Sequence, residues 1–420
     1  MSGAPVRVAV IGAAFTANKG SASMLQAVID NLPAVLGPCR FEVLTTYPGA
    51  DARERPSPEV GIVPYRPREL VFPLLPLALA AALLRALRLP VRALCRVHPA
   101  LRALTEADVV VDVAGISFVD GRPFPLLVYN VLMTGIPLLL GARVVKCSQA
   151  MGPFRRPLNR LGARLVLPRL AAVVARGDST HSNLRELGLG NARRAADLAF
   201  TMAVPEAARE AAARLLEEHG VGGRFVAVVP SAVVDGYCRS RGIDYLGRLA
   251  ALIEGIAGTG TDVVLAPHAA RPGRPGSRMN DLPLVRELGG RVASGRCRLI
   301  DRSLPPDVLR AVIERADQLV TSRFHAMISA LSVETPVLVV GWSHKYEEVL
   351  RELGLAEWTL DYSALEAGGL EERFAALREA SPAVRARLAE RLPAVVADAR
   401  GSFDAVAAAV RPAAGPEAGP

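Results

Sequence analysis

Several common catalytic and metal-binding motifs are absent from the sequence. It has no Asp-x-Asp for a metal-bound nucleotide sugar, no His-Glu-x-x-His, no cluster of His and Cys, no Gly-x-Ser-x-Gly elbow and no protein kinase motifs. A Walker loop and a Gly-x-Gly-x-x-Gly fingerprint are missing too. Nothing in the sequence therefore asks for a metal or a cofactor.

Cysteines are few, widely spaced and odd in number. The five are Cys39, Cys95, Cys147, Cys238 and Cys297. Without a Cys-x-x-Cys pair, this pattern argues against a disulfide framework or a zinc cluster and favours a reducing compartment. No signal peptide is expected, because residues 1–11 lead straight into the strand-like run Val6–Ile11. The sequence thus predicts a cytoplasmic protein.

Aromatic residues make up only 5% of the chain, and the basic residues are not clustered. The formal net charge is +9, yet no run of five basic residues occurs and no aromatic residues are interleaved with them. This pattern argues against a nucleic-acid partner. It favours anionic substrates, or a position near an anionic membrane surface.

One apolar segment allows two interpretations. Leu70–Leu84 is almost wholly apolar and is followed by several arginines, but Pro73 and Pro76 interrupt it. Fifteen residues are short for a membrane span, which needs roughly 20. The segment is either a buried or domain-packing helix, or an interfacial helix for peripheral contact with the inner face of a membrane.

The order of elements predicts an α/β fold with two Rossmann-like domains facing across a cleft. The composition, 51% apolar and 22% charged, is that of a globular protein, and its 420 residues suggest two domains. Short apolar runs alternate with helical patterns in both halves, which indicates parallel, helix-covered sheets. The predicted parts are an N-terminal domain (1–204), a connecting helix (205–222), a C-terminal domain (223–400) and a helix end with a disordered tail (401–420).

Two groups of polar residues in the second half predict a site for a small anion. Arg323 and His325 follow the predicted strand Gln318–Thr321, and Lys345 follows the next one, Pro336–Val340. Consecutive strands of a parallel sheet end at the same edge, where such folds bind ligands. Two helix N-termini behind these cations would favour an anion, and the histidine would move a proton.

Weaker candidates occur at other strand ends. Asn18, Lys19 and Gly20 lie in a loop before a helix, and His268 follows the strand Asp262–Ala266. The loop is either an ordinary capped turn or a binding loop for an anion or a hydroxyl group. His268 is either a structural hydrogen-bonding residue or part of the site.

Further candidates lie after two strands of the first half. Gly115 permits close backbone approach, and Asp112 and Asp120 are placed to bind hydroxyl groups, although an ordinary turn explains this segment as well. Arg176 either adds a bidentate charge to the site or pairs back with Asp178.

The chain resembles the polysaccharide pyruvyl transferase family from about residue 6 to about residue 362. The motifs that carry the resemblance are Ser322–Leu331, Pro336–Leu338, Gly341–Tyr346, Leu353–Leu355, Asn18–Gly20 with Met24-Leu25, Gln149–Phe154, Arg176–Ser179 with Leu184–Gly188, Asp197–Phe200 and Ala266–His268. The resemblance implies a glycosyltransferase-B-like fold and pyruvyl transfer from phosphoenolpyruvate to a sugar or lipid-linked oligosaccharide. The product would be a pyruvate ketal in a cell-envelope or exopolysaccharide.

The resemblance also implies roles for individual residues. The arginine and histidine of the family's Arg-x-His motif fall on Arg323 and His325, its downstream lysine on Lys345 and its first-domain arginine on Arg176. Many members have Gly-Gly-Gly where this chain has Val113-Ala114-Gly115, and Asp where it has Ser21. Both departures lie in the half expected to bind the acceptor. The alternative functions are a nucleotide-sugar glycosyltransferase of the same architecture and a non-catalytic sugar- or anion-binding relative.

Overall fold

The chain forms two compact units. The computed structural model describes residues 4–16, 18–271, 277, 279–342, 344–367 and 369–410. The first unit takes its described residues from 1–15, 24–198 and 397–420, and the second from 16–23 and 199–396. The tail that the sequence predicts to be disordered, 411–420, lies outside the described residues.

A seven-stranded parallel sheet forms the centre of the first unit. Its strands are β1 (Val6–Ile11), β2 (Cys39–Thr45), β3 (Gly61–Pro64), β4 (Val109–Asp112), β5 (Val144–Gln149), β6 (Ala172–Arg176) and β7 (Ala192–Ala195). Their order is β3-β2-β1-β4-β5-β6-β7, and all pairs are parallel. Every residue of β4, β5 and β6 is buried, which is typical of central strands between two layers of helices.

Among the described residues, nine α-helices belong wholly or largely to the first unit. They are α1 (Lys19–Leu36), α2 (Pro48–Glu54), α3 (Pro67–Glu69), α4 (Leu75–Ala86), α5 (Arg92–Arg96), α6 (Pro99–Glu106), α7 (Phe124–Leu139), α8 (Pro157–Val166) and α9 (Gly177–Leu187). A π turn, Leu70–Leu74, joins α3 to α4. The first residues of α1 belong to the second unit.

The second unit has a six-stranded parallel sheet. Its strands are β8 (Phe225–Val229), β9 (Asp262–Leu265), β10 (Cys297–Leu299), β11 (Gln318–Thr321), β12 (Val337–Gly341) and β13 (Thr359–Asp361). Their order is β10-β9-β8-β11-β12-β13. The chain runs outward from β8 to one edge and from β11 to the other, which is the doubly wound Rossmann order. The predicted α/β class with two Rossmann-like domains is confirmed.

In the part of the second unit that the structure describes, there are eight α-helices. They are α10 (Glu206–Glu218), α11 (Ala232–Arg239), α12 (Tyr245–Gly258), α13 (Leu282–Arg291), α14 (Pro306–Glu314), α15 (Phe324–Ser332), α16 (His344–Glu352) and α17 (Leu370–Ala409), whose last residues belong to the first unit. The sequence assigns 205–222 to a connection between domains. In the structure α10 packs against α14, and Arg209 of α10 pairs with Glu314 at 2.8 Å. These contacts place α10 in the second unit, and the change of unit falls between residues 198 and 199.

Candidate functional site

Arg323 and His325 lie where the strand order of the second sheet reverses. β11 pairs with β8 on one side and with β12 on the other. In doubly wound sheets the crevice outside such a pair of strand ends is where ligands bind. Arg323 is the N-cap residue of α15 and His325 lies in its first turn. The structure therefore puts both residues at the preferred ligand position of this fold.

A buried carboxylate that the sequence analysis did not identify holds Arg323. The Arg323 guanidinium donates to Asp281, and the Asp281 side chain is wholly buried. Asp281 also accepts hydrogen bonds from the backbone N–H groups of Ala232 (3.0 Å) and Ala269 (2.9 Å). Among the described residues, the buried Nε of Arg323 has no hydrogen-bond partner. Asp281 thus fixes the guanidinium from one side, and Nε takes no part in this pairing.

The first turn of α1 packs onto these residues. The Lys19 N–H donates to the His268 carbonyl oxygen at 3.2 Å, and the Gly20 N–H donates to the Asn18 side chain at 3.1 Å. Gly20 lies so close to His325 that a Cβ at Gly20 would be 2.1 Å from Nδ1 of the ring. The sequence analysis assigns this loop to the acceptor half, whereas its contacts are with His268 and His325 of the second unit. Only a glycine permits this approach.

His268 is buried among positive charges. Its side chain is 3% exposed, and among the described residues its Nδ1 has no hydrogen-bond partner. Burial lowers the pKa of His268 well below its usual value, and Arg323, His325 and Lys19 lower it further. His268 is therefore a neutral imidazole at pH 7, in a positive field that an anion would relieve.

Lys345 is connected to this cluster through aromatic rings. Its Nζ lies 4.9 Å from the ring centroids of Phe324 and Trp342 and 5.3 Å from that of Tyr346. The Phe324 ring also meets the His325 ring edge-to-face at 5.1 Å. Cation–π contacts of this kind hold an ammonium group without neutralising it. Phe324 thus contacts both predicted catalytic groups of the second half.

The choice of lysine at two of these positions is informative. The chain has 47 arginines and only three lysines, Lys19, Lys146 and Lys345. Lysine is a compact point charge, and arginine cannot replace it where space or geometry is restricted. Two of the three lysines lie in the cluster described here. The third, Lys146, is buried in the first unit and pairs with Asp112.

The predicted site residues of the first unit all have structural partners. Arg176 ends β6 and pairs at 2.8 Å with Asp197, and both side chains are buried. This partner differs from Asp178, which pairs instead with Arg194. Because a bidentate side chain has further N–H groups, pairing with Asp197 occupies only part of the Arg176 guanidinium.

Asp120 and Gly115 lie in one loop. The Asp120 carboxylate accepts from the N–H groups of Arg155 (2.8 Å) and Arg156 (3.2 Å) and from the Asn159 amide (2.8 Å). It therefore supports the start of α8. The Gly115 carbonyl accepts from the Ala150 N–H at 3.2 Å. These hydrogen bonds agree with the interpretation of this loop as an ordinary turn.

Asp112, which the sequence analysis places to bind hydroxyl groups, is wholly buried. It is bonded to Lys146, to the Gln149 amide at 2.8 Å and to the Thr134 hydroxyl at 3.3 Å. The Lys146 and Gln149 partners were not identified from the sequence. This network braces the ends of β4 and β5.

The second-unit cluster combines fixed cations, a neutral buried imidazole and a second histidine on a helix N-terminus. Such a set is suited to binding a phosphate or carboxylate and to moving a proton beside it. In the part of the chain that the structure describes, no group of three His, Cys, Asp or Glu residues is placed to hold a metal ion.

Similar solved structures show the same architecture. UDP-GlcNAc 2-epimerase from Neisseria meningitidis, bound to UDP-GlcNAc, is similar over 95% of this chain and 98% of its own, with a TM-score of 0.56 and 10% identity. A glycosyltransferase from Rickettsia africae is similar over 96% of this chain and 99% of its own, with a TM-score of 0.51 and 10% identity. At these identities the likeness establishes the fold alone, which is of the glycosyltransferase-B type.

The sequence itself identifies the family. No curated protein matches the chain. Residues 18–344 match the family described as polysaccharide pyruvyl transferase, and this range contains the Asn18–Gly20 loop, His268, Arg323 and His325. The match covers well over half of the chain and agrees with the resemblance carried by the motifs. The chain therefore belongs to the polysaccharide pyruvyl transferase family.

Proposed function

We propose that this transferase moves the pyruvyl group of phosphoenolpyruvate onto a sugar of a cell-envelope or exopolysaccharide, forming a ketal and releasing phosphate. The observation that supports this donor is the cluster of Lys19, Arg323, His268 and His325 at one sheet edge. Phosphoenolpyruvate carries a phosphate and a carboxylate, which fixed cations and helix N-termini bind well. The five free cysteines fit action in the reducing cytoplasm.

The reaction balances without a further reactant. C3 of phosphoenolpyruvate gains a proton, two sugar oxygens form bonds to C2, and the bond from C2 to the phosphate oxygen breaks. The two sugar hydroxyl groups each lose a proton. One of these protons is balanced by the proton gained at C3, and the other leaves with the phosphate. The protein must therefore move protons and stabilise the departing phosphate.

The residues of the cluster divide these tasks. His325 carries the protons, because its ring lies in the first turn of α15, in the same cluster as Arg323 and Lys19 around His268. Arg323 and Lys19 bind the phosphate and carboxylate of the donor, and the neutral His268 hydrogen-bonds to one of them. Lys345, held over its three rings, neutralises charge as phosphate departs. Asn18 and Gly20 position the loop that brings Lys19 to the donor.

Three residues of the first unit have proposed roles that depend on the acceptor. Arg176 supplies a charge that stabilises the transition state, and Gly115 and Asp120 shape the loop that the acceptor meets. The hydrogen bonds that Asp120 accepts from Arg155, Arg156 and Asn159 favour a supporting role for its carboxylate. The Val113-Ala114-Gly115 sequence, where many family members have Gly-Gly-Gly, lies in the same loop and favours an acceptor that differs from theirs.

The direct experiment offers phosphoenolpyruvate and a panel of glycosides to the purified chain. We expect phosphate release together with a pyruvyl mass adduct on at least one glycoside, and saturable phosphoenolpyruvate binding by calorimetry. His325→Ala should reduce turnover by about 100-fold or more, as loss of a general acid–base group does. His219→Ala is the matched control, because its ring is bonded to the Leu215 carbonyl oxygen on α10.

Two outcomes would reject the proposal. Absence of both binding and adduct across a broad panel removes phosphoenolpyruvate as donor. Tight binding of a nucleoside diphosphate that phosphoenolpyruvate does not displace would assign the chain to nucleotide-sugar transfer instead. Full activity in both His325→Ala and Lys345→Ala would reject the assigned roles while leaving the reaction intact.

A further inference from the structure

The apolar segment of the first unit lies along its surface. Pro67–Ala86 is, among the described residues, the one helical stretch long and apolar enough to cross a membrane, with 20 residues and a mean hydropathy of 1.7. The stretch does not form one continuous helix across a membrane, because the backbone at Phe72 is not helical. In addition, one of its faces packs into the core. The packed residues are Leu70, Leu74, Ala78 and Ala81. Only 22% of its most apolar window is buried.

The outer face of this segment is apolar. Phe72 is 74% exposed, Leu79 51% and Leu83 61%. A second exposed apolar row lies on α8, where Leu158, Leu161 and Leu165 are each more than half exposed. Both α4 and α8 pack against α7. Rows of exposed apolar side chains on two helices that share the neighbour α7 are typical of an interaction site.

Arginines accompany both rows. Residues 70–105 contain five arginines and no acidic residue or lysine. Four of these five, with Arg7, line a cavity of about 530 Å³ that contains one acidic residue, Glu106. The four are Arg85, Arg92, Arg96 and Arg102. Among the described residues, none of the four forms an ion pair with a carboxylate, and α8 carries arginines but no acid.

We infer that this face docks the protein on a membrane that carries anionic phosphate headgroups. The exposed leucines and Phe72 enter the boundary between headgroups and acyl chains, and the arginine-lined cavity holds lipid phosphates. Arg85 connects the two features, because it lies in the last turn of the apolar helix and lines the cavity. A second copy of the chain is a poor match, since a symmetric contact would set arginines against arginines. The inference does not depend on the transferred group.

Vesicle sedimentation of the full chain tests this docking. The protein should pellet with phosphatidylcholine vesicles that contain phosphatidylglycerol, and not with phosphatidylcholine alone. Added salt should release it, because exposed charges are screened over about 10 Å at 0.1 M. Arg92→Glu combined with Arg96→Glu should weaken binding about 30-fold or more, since each arginine near such a surface contributes roughly a factor of five.

The matched control reverses two exposed arginines elsewhere in the first unit, Arg53→Glu with Arg193→Glu, and should bind within about twofold of the unmodified chain. Leu79→Ser with Leu83→Ser should lose binding at unchanged net charge. Equal loss in the control and the Arg92/Arg96 variant, or no pelleting with anionic vesicles at low salt, would overturn the inference. A dimer abolished by the leucine substitutions, without vesicle binding, would assign the face to a second copy.

Discussion

Gly20→Ala tests whether His325 must occupy its observed position. Gly20 lies in the first turn of α1 with a φ outside the left-handed region, so alanine is compatible with the backbone there. The added Cβ would lie 2.1 Å from Nδ1, 2.6 Å from Cγ and 2.8 Å from Cε1 of the His325 ring. The three nearest atoms to the added Cβ therefore all belong to the His325 ring.

The size of the conflict sets the expected effect. Carbon atoms in good contact are separated by about 3.5–4.0 Å, so the ring or the helix must move by more than about 1 Å. A displacement of about 1 Å at a catalytic group costs roughly 100-fold in rate, or about 2.7 kcal/mol. We expect kcat/KM for pyruvyl transfer to fall by about that factor.

Gly255→Ala is the matched control. Gly255 lies within α12 of the same unit, and a Cβ there meets no atom within 4 Å. Alanine is better than glycine inside a helix by about 0.8–1.0 kcal/mol, so this variant should be slightly more stable and equally active. It separates the effect of an added methyl group from the effect of its contact with His325.

A second measurement is independent of the reaction. In the His325→Ala background the ring is absent, so Gly20→Ala should no longer reduce the free energy of unfolding. The coupling between the two substitutions is read from urea unfolding of the four proteins of the cycle. Unchanged turnover in Gly20→Ala, with additive unfolding free energies, would refute the close packing of His325 against α1.

Three further predictions concern buried charges. Asp281→Asn leaves the Arg323 guanidinium without its counter-charge and should lower the free energy of unfolding by about 3 kcal/mol, and an unchanged urea midpoint would contradict it. Because the pKa of His268 is lowered in the folded state, the unfolded chain binds the extra proton below about pH 6.5. As the pH falls below that value, the free energy of unfolding should therefore decrease by about 1.4 kcal/mol per pH unit because of His268. His268→Gln should flatten that part of the pH profile of urea unfolding. Arg176→Ala should cost about 3 kcal/mol by isolating Asp197, and Arg176→Lys should recover most of it in the same assay.

The fold could be predicted because its strands are short apolar runs at regular intervals. Three strands without such a clear signal, β3, β7 and β13, each lie at an edge of a sheet. β7 is Ala-Arg-Arg-Ala and β3 ends in proline, so neither shows the continuous apolar run of a central strand. Edge strands take their structure from the neighbouring strand, and this contact is not visible in local sequence.

The site could be predicted only where its residues follow strands. Arg323, His325 and His268 were identified because the carboxyl ends of parallel strands bind ligands. Asp281 follows no strand, and its role depends on reaching Arg323, 42 residues away. The placement of Asn18–Gly20 required the structure too, because their neighbour His325 is more than 300 residues distant in the chain. Long-range packing of this kind leaves no local signal.

The positive charges around His268 connect the positions of these residues with the proposed reaction. Two separate parts of the chain supply the cations that lower its pKa: the first turn of α1 through Lys19, and the segment after β11 through Arg323 and His325. A protein gains nothing in stability from assembling like charges around a buried imidazole. Such an arrangement is favourable once an anion occupies it, and under the proposed function the same charges would stabilise the phosphate of the donor as it leaves. Binding of phosphoenolpyruvate should therefore raise the pKa of His268 towards its usual value, and a titration of its ring resonances with and without the donor would show no change if the cluster served packing alone.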